Sequence, residues 1–518
     1  AAKHEVTARW IERTVGDDLG EIAEVVAHHY STALDLARAT GETPLADRVL
    51  GPTIRSLALA GDRALRLDVA SAERYYGRAL ELAPRECRDR PRLLVAWADA
   101  LTQSGRFEEA TAVMEEGWAA LRAAGDERAA ALAIPQLVHL QQVHQVRTHL
   151  VDLDEALTLL DADGPSAETI AVLNIMIHDR LMVRGRYPEA IATADRVLAL
   201  CAQLRVPAST EALESRGLAR CELGDRGGLE DIRLAVSLGK SQGRGHEVGQ
   251  HFCNLADATL LHEGPAAALA IRNEGLDFAA RRGDEAAICY LRTNRLFDLF
   301  QSGAWNTALS EARELGEVLE RRGDHYDLQS ARSVQAALLT SLGDSAAAEP
   351  LAVCAEEATR TAADDAVRSA ALTSLAMVRV ALHQPDEALE HLKECKDRSR
   401  HMTWAGWWAY HVPLAARCAV AAGDADLASR LVEELVPRRA YDAYAAITVA
   451  ALVAESRGDV ERGVESYGAA ALGWETLGAP PEQAHALFGL ARCLTTLDRA
   501  PEAAAPLLTA HDLFATLG

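Results

Sequence analysis

The sequence predicts an all-α fold, a right-handed α-solenoid of about twelve helical hairpins with a period of about 40 residues. Three observations predict it: apolar residues recur at helical spacing, a turn residue returns in a fixed register, and a small residue follows most turns by five positions. The clearest copy runs from Asp284 to Gly323. Its first helix carries Ile288, Leu291, Leu296, Leu299 and Phe300 on one face and stops at Gly303. The second starts at once in Gly303-Ala304-Trp305 and carries Leu309, Leu315, Val318 and Leu319 to Arg321-Arg322-Gly323, where basic residues and a glycine suit a helix C-terminus. Two antiparallel helices joined by so short a turn form an αα-hairpin.

From Gly185 the turns fall at 224, 264, 303, 343, 383, 423, 458 and 498, spaced by 39 or 40 residues except for one step of 35. Glycine relieves such turns by taking left-handed backbone angles, and His383 and Asp498 stand in for it at two of them. Five residues after their turns come Ala110, Ala190, Ala308, Ala348 and Ala428; seven before come Ala98, Gly217, Ala336, Ala376, Ala416, Ala451 and Ala491. Small residues on both helices permit a close approach and leave room for bulky neighbours, each contributing roughly 1.5 to 3 kcal/mol if fully buried. No hairpin covers its own apolar face, so hairpins must stack, and in a simple solenoid each touches only its neighbours and the whole bends as one spring.

The glycine-then-alanine frame resembles the tetratricopeptide repeat family in a long form of about 40 residues, over residues 53–518. The resemblance implies a superhelix whose first helices line the concave side. Residues 1–52 fall outside the frame and read as a helical junction or capping segment. Within them Lys3-His4-Glu5, Ala8, Trp10-Ile11-Glu12, Ala27-His28-His29-Tyr30 and Ala33-Leu34 resemble the junction after the nucleotide-binding module of large bacterial signalling ATPases. In that group a class III adenylate/guanylate cyclase domain and a STAND ATPase commonly precede a tetratricopeptide array. The resemblance implies that this chain is the repeat region of such a protein. The alternative is the repeat region of a maltose-activator-type transcription regulator. The opening Ala1-Ala2-Lys3 reads as a fragment of something longer.

Composition narrows the function. The formal net charge is -23, which disfavours nucleic acid as a partner because phosphate contacts need clustered Lys and Arg. Only four of the basic residues are lysines, an arginine bias that points to a bacterial genome of high GC content. Nine scattered cysteines without C-x-x-C spacing read as small buried residues in a reducing cytoplasm. No apolar run reaches the ~18–20 residues that span a bilayer.

No chemistry-bearing motif survives inspection. Leu238-Gly239-Lys240-Ser241 ends like a P-loop, but Leu234 stands where the motif needs glycine and a helix where it needs a strand. His246 and His251 miss the H-E-x-x-H spacing by one residue, and adjacent His28 and His29 point about 100° apart on a helix. His139, His144 and His149 spiral rather than converge. The expectation is a non-catalytic, cytoplasmic chain without catalytic, cofactor-binding or metal residues.

A binding surface can still be placed. The residues thirteen and ten before each turn share a face of the first helix, and the family resemblance puts that face in the concave groove. In the middle repeats they are Glu211 and Glu214, His251 and Asn254, Tyr290 and Thr293, then Ser330 and Ser333. This polar row is the candidate contact for a protein, a peptide or a small-molecule effector, the alternative being a merely solvated groove. A secondary candidate is the stripe Trp404, Trp408 and His411, a pattern that more often marks inter-repeat core than a peptide-docking face. Because the phosphate loop is incomplete, the isolated chain should neither bind nor cyclise ATP; saturable ATP binding in calorimetry would contradict this reading.

Overall fold

The computed structural model describes residues 1–15, 20, 22–143, 153, 157–158, 164–182, 185–362, 364–399 and 405–517. Among them the fold is helical hairpins throughout, a tetratricopeptide-like α-solenoid without strands. In the repeat that defined the frame, Glu285–Gln301 pairs with Trp305–Arg322 across Gly303, whose φ is 79°. His383 and Asp498 adopt the same left-handed turn at φ 59° and 56°, so the register holds where glycine is missing. Ala110, Ala308, Ala348, Ala388 and Ala428 are fully buried, as are Ala98, Ala336, Ala376, Ala416 and Ala451 on the opposing helices.

A second device, overlooked in the sequence, sets the helix starts. Aspartate repeatedly follows a left-handed glycine, and its carboxylate caps the next helix: Asp284 accepts from the Ala287 N–H at 3.0 Å, Asp324 from Asp327 at 3.1 Å, Asp344 from Ala347 at 3.1 Å and Asp424 from Leu427 at 2.7 Å. Each such cap contributes about 1 kcal/mol. The 35-residue step also has a local cause, because the second helix after Gly423 is only Ala425–Arg430. At the N-terminus, Thr43–Ala64 runs through position 52 with Pro52 inside the helix, so the junction and the first hairpin share an element. Arg48 ties Glu5 of the opening helix to it with bonds of 2.7 and 2.8 Å.

The expectation that each hairpin touches only its neighbours does not hold. Gly245–Glu263 lies against Ala440–Ser456, and Glu285–Gln301 against both Arg90–Gln103 and Pro480–Thr496. The superhelix is wound so tightly that hairpins about five apart meet. Its largest apolar core runs from Ala256 to Leu517 as one cluster. Tyr410 crosses the inside of the coil to donate its hydroxyl to the Phe297 carbonyl at 3.3 Å, 113 residues away. Phe297 meets Trp407 and Tyr410 edge-on, and Tyr441 stacks on Tyr410 and meets Trp474.

Turn glycines register this winding. A Cβ on Gly264 would overlap the Leu477 carbonyl, whereas Gly343 has open space around it. Both have positive φ, 93° and 88°, and Gly264, with ψ 175°, also lies in a backbone region that is essentially confined to glycine, so alanine there is strained as well as crowded. Gly264→Ala should be destabilised by a further ~1–3 kcal/mol from overpacking, read as a lower urea midpoint than that of Gly343→Ala. Equal midpoints would mean that the coil turns are not in contact.

Candidate functional site

The polar row lies on consecutive first helices, Thr210–Glu222, Gly245–Glu263 and Glu285–Gln301. Ser209 begins the first of these, its hydroxyl capping the Ala212 N–H at 3.1 Å and donating to Glu211 at 2.8 Å. Glu214 and His251 are buried and approach at 2.8 Å between the Glu214 carboxylate and His251 Nδ1. Asn254 donates to the same carboxylate at 2.8 Å. The histidine contact is ionic and off-line, so neither ring nitrogen has a directed hydrogen-bond partner. Farther along, Gln250 donates to the Tyr290 hydroxyl at 3.3 Å. Thr293 is buried. Nearer solvent, Arg244 bridges Glu211 at 2.9 Å and Glu247 at 3.0 Å, and Thr210 donates to Glu247 at 3.0 Å.

The six residues are thus brought to one region in different conditions. Glu211, Asn254 and Tyr290 keep partial exposure, while Glu214, His251 and Thr293 are enclosed. Burial opposes the charge of Glu214, yet the His251 ring and the Asn254 amide hold its pKa below the ordinary carboxylate value. Burial also opposes the charge of His251, but Glu214, then Glu247 and Glu211, hold it above the ordinary imidazole value. Glu247 is pushed upward by burial and by the repulsion of Glu211. The cluster is acidic around one enclosed imidazole whose charged form Glu214 favours, a surface that complements hydrogen-bond donors and positive charge.

The secondary stripe is placed differently. Trp404 lies outside the described residues. Trp408 is buried and donates Nε1 to the Leu431 carbonyl at 2.9 Å, a contact within its own hairpin. His411 is buried edge-on to Tyr410, and burial lowers its pKa to about 4. Neither offers a surface on which a peptide could lie without repacking the core.

Sequence reading missed the buried arginines that bind hairpins together. Arg272, almost fully enclosed, holds Asp257 and Asp298. Arg368 bridges Glu356 at 2.8 Å and Glu394 at 2.9 Å. Arg439 pairs with Glu222 at 2.5 Å and Asp442 at 2.8 Å. Nothing distinguishes these arginines from surface ones in a single sequence: Arg272 and Arg368 lie within helices, and Arg439 caps the start of one. Among the described residues no group of three or more His, Cys, Asp or Glu is arranged to hold a metal ion, and no helix is long and apolar enough to cross a membrane. Seven of the nine cysteines are buried and none is in a disulfide. His29 meets His4 across the junction at 2.9 Å.

No protein-family model and no curated protein matches the sequence. Solved structures do. A Rap protein complexed with Competence and Sporulation Factor aligns with a TM-score of 0.46 at 12% identity over 68% of this chain and 99% of its own. The APC/C hetero-tetramer Cut9-Hcn1 aligns with a TM-score of 0.45 at 14% identity over 88% and 86%. A STAND signal-transduction ATPase with a tetratricopeptide repeat sensor from Pyrococcus horikoshii aligns with a TM-score of 0.35 at 12% identity over 76% of this chain and 54% of its own.

The Glu214–His251 pair has a definite pH signature. His251 is raised above 6.5, so its share of stability is complete below about pH 6.5 and is lost as pH rises through the raised value. Glu214 is lowered below 4.5, so its share is complete above about pH 4.5 and is lost as pH falls through the lowered value. The pair therefore stabilises most between those limits. His411 acts oppositely, costing stability as pH falls from 6.5 towards 4, so the comparison must be made against wild type at each pH. Between pH 6 and 9 the wild type should lose more stability than His251→Gln; parallel urea midpoints across that range would exclude a charged pair.

Proposed function

We infer that this chain is a non-catalytic regulatory scaffold that takes a protein or peptide segment on the inner face of its coil. The observation that carries this reading is the acidic cluster on three consecutive first helices, from which Glu211, Asn254 and Tyr290 reach partial exposure while Glu214 and His251 fix Asn254 from behind. Such a row suits an extended segment: Asn254 can give and accept a main-chain hydrogen bond, Tyr290 offers a flat apolar surface, and Glu211 with Glu247 meets a positive side chain. A cationic small-molecule effector would use the same groups. The resemblance of residues 3–34 to the junction of cyclase-linked STAND ATPases supports a parent protein in which this array is the sensing arm, working in the cytoplasm.

The test uses a displayed library of random linear peptides. Peptides enriched on the wild-type chain should carry Lys or Arg, and Glu211→Ala, Asn254→Ala, Tyr290→Ala together should weaken their binding at least about tenfold, about 1.4 kcal/mol. Unchanged melting of the triple variant confirms that the face and not the fold was altered. Equal capture by wild type and a well-folded triple variant would remove this face as the site.

A further inference from the structure

Successive turns of the coil are joined along a seam that repeats with the hairpins. Arg282 donates to the Arg66 carbonyl and, at 3.4 Å, to that of Leu65. Arg322 donates to the Ser104 carbonyl at 3.0 Å. Arg438 reaches the Glu222 carbonyl at 3.4 Å, and Arg439 the Glu222 carboxylate at 2.5 Å. The donors follow their acceptors by 216 to 218 residues in every case. The main-chain acceptors are also placed alike: the Leu65, Arg66, Ser104 and Glu222 carbonyls lie at the C-terminal ends of first helices or one or two residues beyond, where carbonyls have no partner within the helix and carry the negative end of its dipole. Arginine, a planar donor with five N–H groups, satisfies them from the last residue of a second helix at Arg282 and Arg322, and from the segment that precedes Ala440–Ser456 at Arg438. Gly105 has no room for a Cβ beside Arg322, and Gly224 none beside Arg438, so these turns are shaped to receive the arginine-bearing segments.

We propose that this seam is a latch, so that the coil has a closed and an open state and the arginine stitches between residues 65–222 and 282–439 set the balance between them. The seam is narrow: besides the arginine stitches, the helix pair Arg90–Gln103 and Glu285–Gln301 meets there, with Ala286 against the Ala98 and Leu101 cluster, whereas hairpins next to each other in sequence pack along their full length. Its groups also have a good alternative in water. Exposed carbonyls, Arg282, Arg322 and Arg438 would all be hydrated on opening, and Glu222 and Arg439 would exchange a buried pair for two solvated ions, so no charge is stranded. The C-terminal part of the seam differs. There Leu517 covers Gly303, the Leu477 carbonyl covers Gly264, and Phe297 packs on Trp407 and Tyr410, contacts that lose apolar burial when separated. Opening therefore begins at the arginine-stitched end and hinges on the aromatic end. In the closed state His251 and Thr293 are 1% and 2% exposed, so the latch also governs how much of the inner face reaches solvent. The opening is a property of the coil itself and does not depend on what occupies that face.

The experiment compares the full chain with the triple variant Arg282→Gln, Arg322→Gln, Arg438→Gln, and with a control, Arg186→Gln, Arg499→Gln, whose arginines pair within their own helix starts, with Glu189 and Glu502. Small-angle scattering should give a larger radius of gyration for the seam variant and not for the control. Hydrogen exchange at 65–68, 104–106 and 222–225 should accelerate about tenfold in the seam variant, with the helical circular dichroism of wild type retained. High salt should move the wild type in the same direction, as screening weakens the stitches. Unchanged radius and exchange would overturn the latch, and so would loss of helicity, which would make the stitches part of hairpin folding with no separate open state.

Discussion

The close approach of two helices at an alanine contact underlies the rest of this structure. Ala308 facing the helix that carries Leu296, or Ala348 facing the one that carries Ala336, sets how near the axes of a pair can come. That distance fixes how far each hairpin is rotated from the last, because the next hairpin must lay its own stripe into the groove the pair leaves. Small rotations repeated along a chain become a coil of definite radius. Here the radius is small enough that the first helices of hairpins about five apart touch, and the space that an open superhelix would leave as a groove is instead filled by Phe297, Tyr410 and Tyr441 at one end and by the Glu214–His251 cluster at the other.

What the sequence made legible and what it hid follow from this. The hairpins were legible because their signals are local: a left-handed residue at 303, 343 or 383 and a small residue five positions on lie within one turn and one helix. Even the irregular 35-residue step was visible as a number, though its cause, the six-residue helix at 425–430, was not. The coil's closure was hidden because it is a sum of small angles. No residue near Gly264 indicates that Leu477 will lie over it, and the arginine at 438 looks like any C-terminal basic residue until the coil brings Glu222 beneath it. The positions of the polar row were readable from helical spacing, but their accessibility was not. Spacing places Thr293 on the inner face, and only the winding decides that this face is largely enclosed.

The charge balance is read differently once the coil is known. A chain of net charge -23 would be expected to repel itself when wound tightly. The structure meets this by sending arginines inward. Arg272 between Asp257 and Asp298, Arg368 between Glu356 and Glu394, and Arg439 between Glu222 and Asp442 each place one positive charge between two carboxylates where helices meet. Burying such groups costs desolvation that their attraction only partly offsets, so they add little to stability compared with apolar packing. Their effect is on register. A triad with one arginine and two acids from different helices is satisfied in one alignment and leaves a bare charge in any other, which discriminates among the near-equivalent ways that similar hairpins could slide past one another.

The same reasoning distinguishes the inner cluster from a passive lining. A solvated groove needs no internal pairing, since water satisfies each group. Here Asn254 is oriented by Glu214, Glu214 is paired with His251, and Arg244 is shared by Glu211 and Glu247, so the polar atoms are held in place before anything arrives. Pre-ordering of this kind lowers the entropy that a ligand must lose at the site. It also makes the face selective, because an apolar segment pressed onto Asn254 and Glu211 would strand their polar atoms without partners, while a segment bearing donors would complete them.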